Sequence, residues 1–396
     1  MQKFLFIILI LTVITGQITR IGNLGVATDF VLIGILGIYF LDKIIKKENF
    51  PFAPIVVWLF IFIVYLLASL LFNLSSITLA GGEIGSFLYW VRLLAYLTFI
   101  LPVLDFLQKN REEGLIWIWN SFFYTGTILS ILGFIQLILL PDFSFMAKYG
   151  WDPHQGRLLS TWYDPNFLGG FLGLSLLIVL SRVLVVLKQD DWKKNKKQIF
   201  IWLAGSSAIF IALFLTYSRS ALLAFVIGMS VLTLFYSKKT LIVMMILMSL
   251  AVASNARLQE RVMGIITVDV TASLRIQNWL ETIEDIEKKP ILGIGYNTIK
   301  YQTIKESSLN SASGRDSSFL TLWLTGGIIG LGIFVSMLFS KVLDWIQKFI
   351  QTKLSIEKAM TLASISGLAL ILVHSMFVNS IFFPHILLFI IFLFAI

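Results

Sequence analysis

The chain has 396 residues and a formal net charge of +9; 58% of its residues are hydrophobic, 13% are charged and none is cysteine. This composition predicts a polytopic membrane protein rather than a water-soluble domain, and nothing in it points to a nucleic-acid partner. Because there is no cysteine, disulfides, thiolate metal sites and a cysteine nucleophile are excluded.

Long apolar stretches follow one another along the sequence. They are continuous rather than alternating, which favours membrane helices over a β-barrel. About twelve of them reach the roughly 15–25 residues needed to cross the hydrocarbon core, and the first is also compatible with a signal peptide. The predicted fold class is an all-α polytopic membrane protein with spans near 4–18, 28–44, 54–73, 84–107, 115–140, 167–187, 199–216, 219–236, 240–254, 318–340, 359–378 and 381–396.

One long polar segment interrupts this pattern before the tenth span. Residues 255–317 contain no apolar run long enough to cross a bilayer, and Trp279, Leu280 and Ile283 recur at helical spacing. We therefore predict a large, partly helical extracytoplasmic loop. It divides the chain into transmembrane helices 1–9 (residues 1–254), the loop (255–317) and transmembrane helices 10–12 (318–396).

Lysine and arginine predict the orientation. The short loops on one side are rich in them, above all residues 188–198, whereas the short loops on the other side carry few. The positive-inside rule makes the lysine-rich side cytoplasmic. We therefore expect both termini in the cytoplasm and the long loop outside.

Five of the arginines on or near the predicted outer face are candidates for a binding site. Several guanidiniums at one leaflet suit a phosphate or pyrophosphate, because the planar fork matches those oxygens and supplies the positive charge without a metal or cofactor. The candidates are Arg92 inside the fourth span, Arg157 in the loop at 141–166, Arg219 in a tight turn, Arg275 on the predicted loop helix and Arg315 at the loop's exit.

Three of these arginines also have a structural interpretation. Arg92 could snorkel to the outer headgroups. Arg219 could belong to a hairpin turn between two spans. Arg275 could form surface ion pairs with the acidic residues that follow it on the same helix, Glu281, Glu284 and Asp285.

Two aspartates are candidates for acid–base chemistry. Asp164 precedes Pro165 and Asn166 at the start of a span, so it could equally cap that helix. Asp316 precedes the tenth span, where its charge would also suit a cap.

Two other features of the sequence do not indicate a functional site. The histidines His154, His374 and His385 are too scattered for a metal site, and His374 is expected to be an interhelical hydrogen-bond donor. The stretch from Gly293 to Gly295 resembles half of a dinucleotide fingerprint, but no strand-turn-helix unit surrounds it.

The sequence resembles the O-antigen ligase/polymerase superfamily, bacterial membrane enzymes that polymerise or transfer lipid-linked polysaccharide. The resemblance rests on the order of four short motifs and on the large loop before the tenth span. The motifs are Gly156-Arg157 through Asp164-Pro165-Asn166; Ser218-Arg219-Ser220; Arg275-x-x-x-Trp279 leading to Pro290-Ile291-Leu292-Gly293-Ile294-Gly295; and Asp316-Ser317-Ser318-Phe319-Leu320 running into Gly327-Ile328-Ile329-Gly330.

This resemblance implies a metal-independent, inverting glycosyl transfer on the outer face of the bacterial inner (plasma) membrane. The donor would be a glycan on a polyprenyl pyrophosphate. The arginines would stabilise the pyrophosphate as it leaves, and a base would take the proton of the acceptor hydroxyl. Membrane lipid and a chain-length regulator would be further partners.

At one position the sequence departs from the ligase pattern. Asp316 stands where the ligases have the histidine of a His-Asn-x-x-Leu pattern, while Leu320 is preserved. This difference favours a polymerase over a ligase, and a transporter or flippase is the third candidate. An exposed aspartate with a pKa near 4 would be a weak base, so Asp316 and Asp164 remain alternatives.

Overall fold

The computed structural model describes residues 2–22, 25–77, 81–188, 196–236, 238–267, 269–302, 315–353 and 356–396. Helices dominate these ranges, which confirms the predicted all-α class. One two-stranded antiparallel sheet pairs Arg20–Ile21 with Gly25–Val26.

Prolines and hydrogen-bonding caps mark many helix starts. Pro54, Pro165 and Pro384 occupy first-turn positions, where their missing N–H costs nothing. The helices are α1 Gln2–Thr15, α2 Ala27–Lys46, α3 Pro54–Phe72, α4 Gly82–Thr98, α5 Ile100–Lys109, α6 Arg111–Leu139, α7 Pro165–Lys188, α8 Lys196–Leu215, α9 Arg219–Tyr236, α10 Lys238–Ala253, α11 Ala256–Ile266, α12 Val270–Lys288, α13 Ile299–Gln302, α14 Ser318–Gln351, α15 Ile356–Ser375 and α16 Pro384–Phe394.

Within the described ranges, eight helical stretches are long and apolar enough to cross a membrane. A ninth is added if α10 and α11, which meet at an angle of 106°, form one broken span. Helices α9 and α16 are apolar but shorter. A helix overlaps each stretch that the sequence predicts to cross, but the number that do so remains a prediction.

Helices α7, α9 and α15 pack together at the centre of the molecule. Small residues permit their close approach: a Cβ atom on Gly228 of α9 would lie 3.0 Å from the carbonyl oxygen of Ser366 on α15, and one on Gly173 of α7 would lie 3.2 Å from Leu370. Contacts between small residues are a common means of packing helices in membranes, where lipid provides no hydrophobic driving force between them.

The charges at one end of the helices form interhelical ion pairs. The Lys43 ammonium lies 2.6 Å from Asp105, and Arg111 lies 3.0 Å from Glu357. Helix α1 starts at this end, where Gln2 donates to Asp105, and ends where the Ile14 carbonyl accepts from Thr161. Lys43 and Arg111, two of the basic residues predicted to face the cytoplasm, therefore lie at the opposite end of the molecule from the candidate arginines.

Helix α14 is broken at Gly327, whose φ of 65° and ψ of −176° are essentially confined to glycine. The loop before α13 supplies the hydrogen bonds that the break removes. Ile294 N donates to the Leu324 carbonyl (2.9 Å), Gly295 N to the Thr325 carbonyl (3.1 Å), and Ile328 N to the Pro290 carbonyl (2.8 Å). The glycine-rich stretch is thus a backbone clamp on a broken helix.

Candidate functional site

A cavity of about 420 Å³ opens at the end of the molecule that holds the candidate arginines. Its walls come from α4, α12, the loops before α7 and α14, and the link between α15 and α16. It brings together five of the seven residues predicted for the site: Arg92, Asp164, Arg275, Arg315 and Asp316.

Asp316 does not cap α14. The cap is Ser317, whose hydroxyl accepts from Leu320 N at 3.3 Å. Asp316 is held by its backbone instead: its N–H donates to Asn278 (3.2 Å) and its carbonyl accepts from the Trp279 indole (3.1 Å). The expectation that Asp316 could be a cap is therefore wrong, and its carboxylate is left facing the cavity.

Asp316 is exposed to the open cavity, as the sequence predicted. Partial desolvation nevertheless raises its pKa, and the positive charge of Arg275 acts in the opposite direction. The expected exposure is therefore confirmed, and only the expectation of a pKa near 4 is corrected. A carboxylate with a raised pKa is a better proton acceptor.

Arg275 projects from α12 towards Asp316. It forms no ion pair with any described residue, and its Nε is buried without a hydrogen-bond partner among them. Burial lowers the pKa of its guanidinium, whereas Asp316 raises it. The surface ion-pair interpretation is wrong, because the acidic residues beyond it bind other partners: Glu281 accepts from Gln277, and Asp285 pairs with Lys288 and Arg315.

Part of the Arg315 guanidinium is already bound by a carboxylate of the protein. Its Nη2 lies 2.9 Å from Asp285 of α12, while its Nε is buried with no partner in the described ranges. The ion pair fixes the guanidinium at the cavity wall, next to Asp316, and ties the start of α14 to α12.

Asp164 performs the capping that the sequence suggested. Its Oδ1 accepts from Asn166 N at 2.7 Å and from Phe167 N at 3.1 Å. The residue also lines the cavity, and burial raises its pKa despite these two hydrogen bonds and the nearby Arg157. Asp164 is therefore a cap whose carboxylate also faces the site.

Arg92 does not simply snorkel. Its Nε donates to Asp29 at 2.8 Å, and Tyr96 donates to the same oxygen at 2.9 Å. Asp29 is only 6% exposed, whereas the Arg92 side chain keeps 27% of its surface open at the cavity. Arg92 is thus a partly neutralised cation fixed in the cavity wall.

The remaining two predicted arginines do not line the cavity. Arg157 donates to the Thr216 carbonyl at 2.8 Å, and Arg219 binds Asp269 (3.0 Å) and Thr271 (2.8 Å). Both hold loops together, although the Nη1 of Arg219 is buried without a partner in the part of the chain that is described.

These two arginines belong to a larger cationic cluster that sequence reasoning missed. Burial and the charges of neighbouring arginines lower the pKa of Arg157 to about 10, and the same causes lower that of Arg261. Arg257 donates to the carbonyls of Gly156 and Gln155. We define Arg157, Arg219, Arg257 and Arg261 as the arginine cluster; Arg257 and Arg261 lie four residues apart on α11, a spacing that could have identified them.

The sequence also did not predict that His154 lines the cavity. Its Nε2 is buried with no described partner, and burial together with Arg157 and Arg261 lowers its pKa to about 4. It lines the cavity and is close enough to the arginine cluster for the charges of Arg157 and Arg261 to act on it. Nothing in the sequence around His154 distinguishes it from a loop histidine.

His374 lies against a neighbouring helix, as the sequence predicted. Its ring contacts α7 at Gly170 and hydrogen-bonds the backbone of Asn166 on the same helix. Its Nδ1 lies 2.6 Å from the hydroxyl of Ser380, in the link that follows its own helix.

The fold and the cavity define a multi-pass membrane protein with an arginine-rich site at one end of its helices. Residues 204–335 match the family model described as O-antigen ligase. The match runs from within α8 to within α14 and contains Arg219, Arg275, Arg315 and Asp316. No curated protein matches the chain.

This match confirms the resemblance to the O-antigen ligase/polymerase superfamily. It also supports an enzyme of this ligase and polymerase group, acting in the membrane on lipid-linked oligosaccharide.

Proposed function

We propose that this protein is a bacterial polysaccharide polymerase. It transfers the growing glycan from a polyprenyl-pyrophosphate donor to the acceptor sugar of another lipid-linked repeat unit, at the outer face of the inner membrane. The transfer inverts the anomeric centre and uses arginines in place of a metal.

The observation that carries this proposal is that Asp316 and Arg275 line the same cavity close to each other. Asp316 is a carboxylate that Ser317 relieves of capping, and Arg275 is a partly buried cation whose Nε has no partner among the described residues. A proton acceptor and an anion binder are thus fixed side by side by the backbone contacts between α12 and the start of α14.

The chemistry assigns a role to each group. The acceptor hydroxyl attacks the anomeric carbon, and its proton passes to the Asp316 carboxylate. The bond from that carbon to the pyrophosphate oxygen breaks, and the electron pair leaves with the pyrophosphate. Arg275 and Arg315 stabilise the charge that develops there, and preorganised cations in a partly dry cavity do this with little reorganisation.

The arginine cluster supports the same proposal from a second position. It concentrates positive charge next to the cavity, and the one carboxylate hydrogen-bonded to it in the described residues is Asp269, on Arg219. It would attract a pyrophosphate to the cavity and hold the far end of that group.

A ligase that moves finished glycan to a lipid or protein acceptor is the second candidate. The description of the matching family, O-antigen ligase, favours it. Asp316 argues against a ligase, because the ligases carry histidine at this position.

Asp316→Asn tests the proposal, because asparagine cannot accept the proton and Ser317 still caps α14. We expect elongation to fall at least about a hundredfold, the scale of general-base catalysis, with unchanged membrane abundance. Glu281→Gln, an exposed residue on α12, is the matched control.

The species that accumulates in the Asp316→Asn cells distinguishes the two candidate functions: single repeat units indicate a lost polymerase, whereas long polymer on the polyprenyl carrier indicates a lost ligase. Normal polymer in the Asp316 variant contradicts both mechanisms.

A further inference from the structure

Three aromatic rings form a cluster at the edge of the cavity, in the loop that precedes α7. Trp151 and Tyr163 lie 5.5 Å apart in an edge-to-face arrangement with their planes at 86°, and Phe143 lies 5.0 Å from Tyr163. Phe143 is 4% exposed and packs against Tyr163, and both Tyr163 and Trp151 line the cavity. The aromatic cluster therefore presents ring surface to the cavity.

Polar groups lie beside this aromatic cluster. The Arg20 guanidinium lies 5.6 Å from the centre of the Trp151 ring and donates to Gln17 at 3.1 Å. Asp152 is exposed and makes no side-chain hydrogen bond with any described residue. All three line the same cavity.

An aromatic ring with hydrogen-bonding groups at its margin has the chemistry of a sugar site. A pyranose ring has faces of C–H groups that pack on an aromatic ring, while its hydroxyls point outward to carboxylates, amides and guanidiniums. A phosphate would not use the aromatic cluster, and a purely apolar ligand would make no use of Asp152.

The position of Asp152 favours the acceptor glycan over the donor glycan as the ligand of this surface. It is close enough for its charge to act on both Asp164 and Asp316. A sugar held beside Asp152 can therefore bring a hydroxyl to the proton acceptor, while a second negative group there disfavours a pyrophosphate.

We propose that Trp151, Tyr163 and Asp152 form a carbohydrate-binding subsite that holds a pyranose ring of the acceptor glycan. This inference rests on the proposed function. It adds where the acceptor binds and which groups select it.

The probe is the free oligosaccharide that mild acid releases from the host cell's lipid-linked glycan, which has neither pyrophosphate nor lipid. Saturation-transfer NMR with the full-length protein in detergent measures its binding and identifies the sugar protons near aromatic rings. Trp151→Ala should weaken binding about tenfold, the upper range for an aromatic contact. Trp151→Phe should retain most of it, and Tyr149→Ala, an exposed aromatic in the same loop outside the cavity, should not alter it.

Asp152→Ala removes an exposed carboxylate with no described hydrogen bond, so it tests the subsite even if the tryptophan variant is poorly folded. It should weaken binding severalfold. The subsite is overturned if the wild-type protein does not bind the oligosaccharide, or if the Trp151→Ala and Asp152→Ala variants bind it as wild type does. Displacement of the oligosaccharide by inorganic pyrophosphate would contradict its assignment to the acceptor.

The same measurement separates this inference from the proposed function. Asp316→Asn and Arg275→Lys should bind the free oligosaccharide normally while losing transfer. If no transfer is found but the Trp151-dependent binding persists, the proposed reaction fails and the sugar site remains.

Discussion

At the scale of single residues, one of two adjacent side chains at the start of α14 caps the helix and the other does not. Ser317 caps the helix, and Asp316 is held through its backbone by Asn278 and Trp279 of α12. A carboxylate that is not needed for capping can change protonation state during a reaction without weakening the helix. This arrangement makes substitutions of Asp316 informative about chemistry rather than folding.

Arg275→Lys keeps the positive charge but removes the planar fork. Because the Arg275 Nε has no partner in the described residues, the lost interactions are those made with substrate, and we expect transfer to fall by about tenfold or more, as for loss of one charge-assisted hydrogen bond. Polymer length and a membrane transfer assay provide the measurement. The reverse change Lys288→Arg, on the same helix and paired with Asp285, is the control. Full transfer by the Arg275 variant at normal abundance would exclude a bidentate role.

The pH dependence of transfer follows from Asp316. Only the deprotonated carboxylate of Asp316 can accept a proton, so the rate of transfer should rise with pH through the pKa of Asp316. Because desolvation raises this pKa, the rise should occur above the usual value of about 4. Arg275 lowers this pKa, so Arg275→Gln should move the rise to higher pH in the residual activity. The check is an initial-rate profile for both proteins. A profile that does not move in Arg275→Gln would mean that another group titrates.

At the scale of elements, the break in α14 places the candidate site. The clamp formed by residues 290–295 joins the loop to the broken helix, and Tyr65 and Ser69 of α3 donate to the carbonyls of Gly326 and Thr325. Irregular backbone at membrane depth is tolerated where protein satisfies its polar groups. The break therefore fixes the first half of α14, with Asp316 before it, relative to α12.

Gly327→Ala should destabilise the protein strongly. The φ of 65° alone costs a non-glycine residue about 1–3 kcal/mol, and the new Cβ would collide with the Ile291 carbonyl. We expect low membrane abundance and a reduced unfolding temperature in detergent. Gly332→Ala on the same helix has no neighbouring atom within 4 Å and should be tolerated. Equal abundance of the two variants would show that the break is dispensable.

At the scale of the whole molecule, the distribution of charge predicts which end faces the cytoplasm. The lysine-rich end carries the pairs Lys43–Asp105 and Arg111–Glu357, and the cavity lies at the other end. With the positive-inside rule, this arrangement predicts that the cavity faces outward.

Single cysteines test this orientation, because the chain has none of its own. A cysteine replacing the exposed Glu287 on α12 should react with an impermeant maleimide in intact cells or spheroplasts. One replacing Lys353, after α14, should react only after lysis. The reverse pattern would place the candidate site in the cytoplasm and exclude a periplasmic polymerase.

The sequence by itself determined the fold class and most helix positions, because membrane insertion depends on local features: continuous apolar runs, proline at helix starts and caps such as Asp164. It also predicted the helix that carries Arg275, since an amphipathic period is local. The part of the predicted loop between residues 303 and 314 lies outside the described residues.

Only the tertiary structure decided which charged residues remain available to a ligand. Arg219 is bound by Asp269, Arg315 by Asp285 and Arg92 by Asp29, partners that are distant in sequence and therefore invisible to local patterns. The cavity and the arginine cluster arise for the same reason, since each is assembled from separate parts of the chain. The sequence predicted the kinds of groups at the site, and packing determined which of them face it.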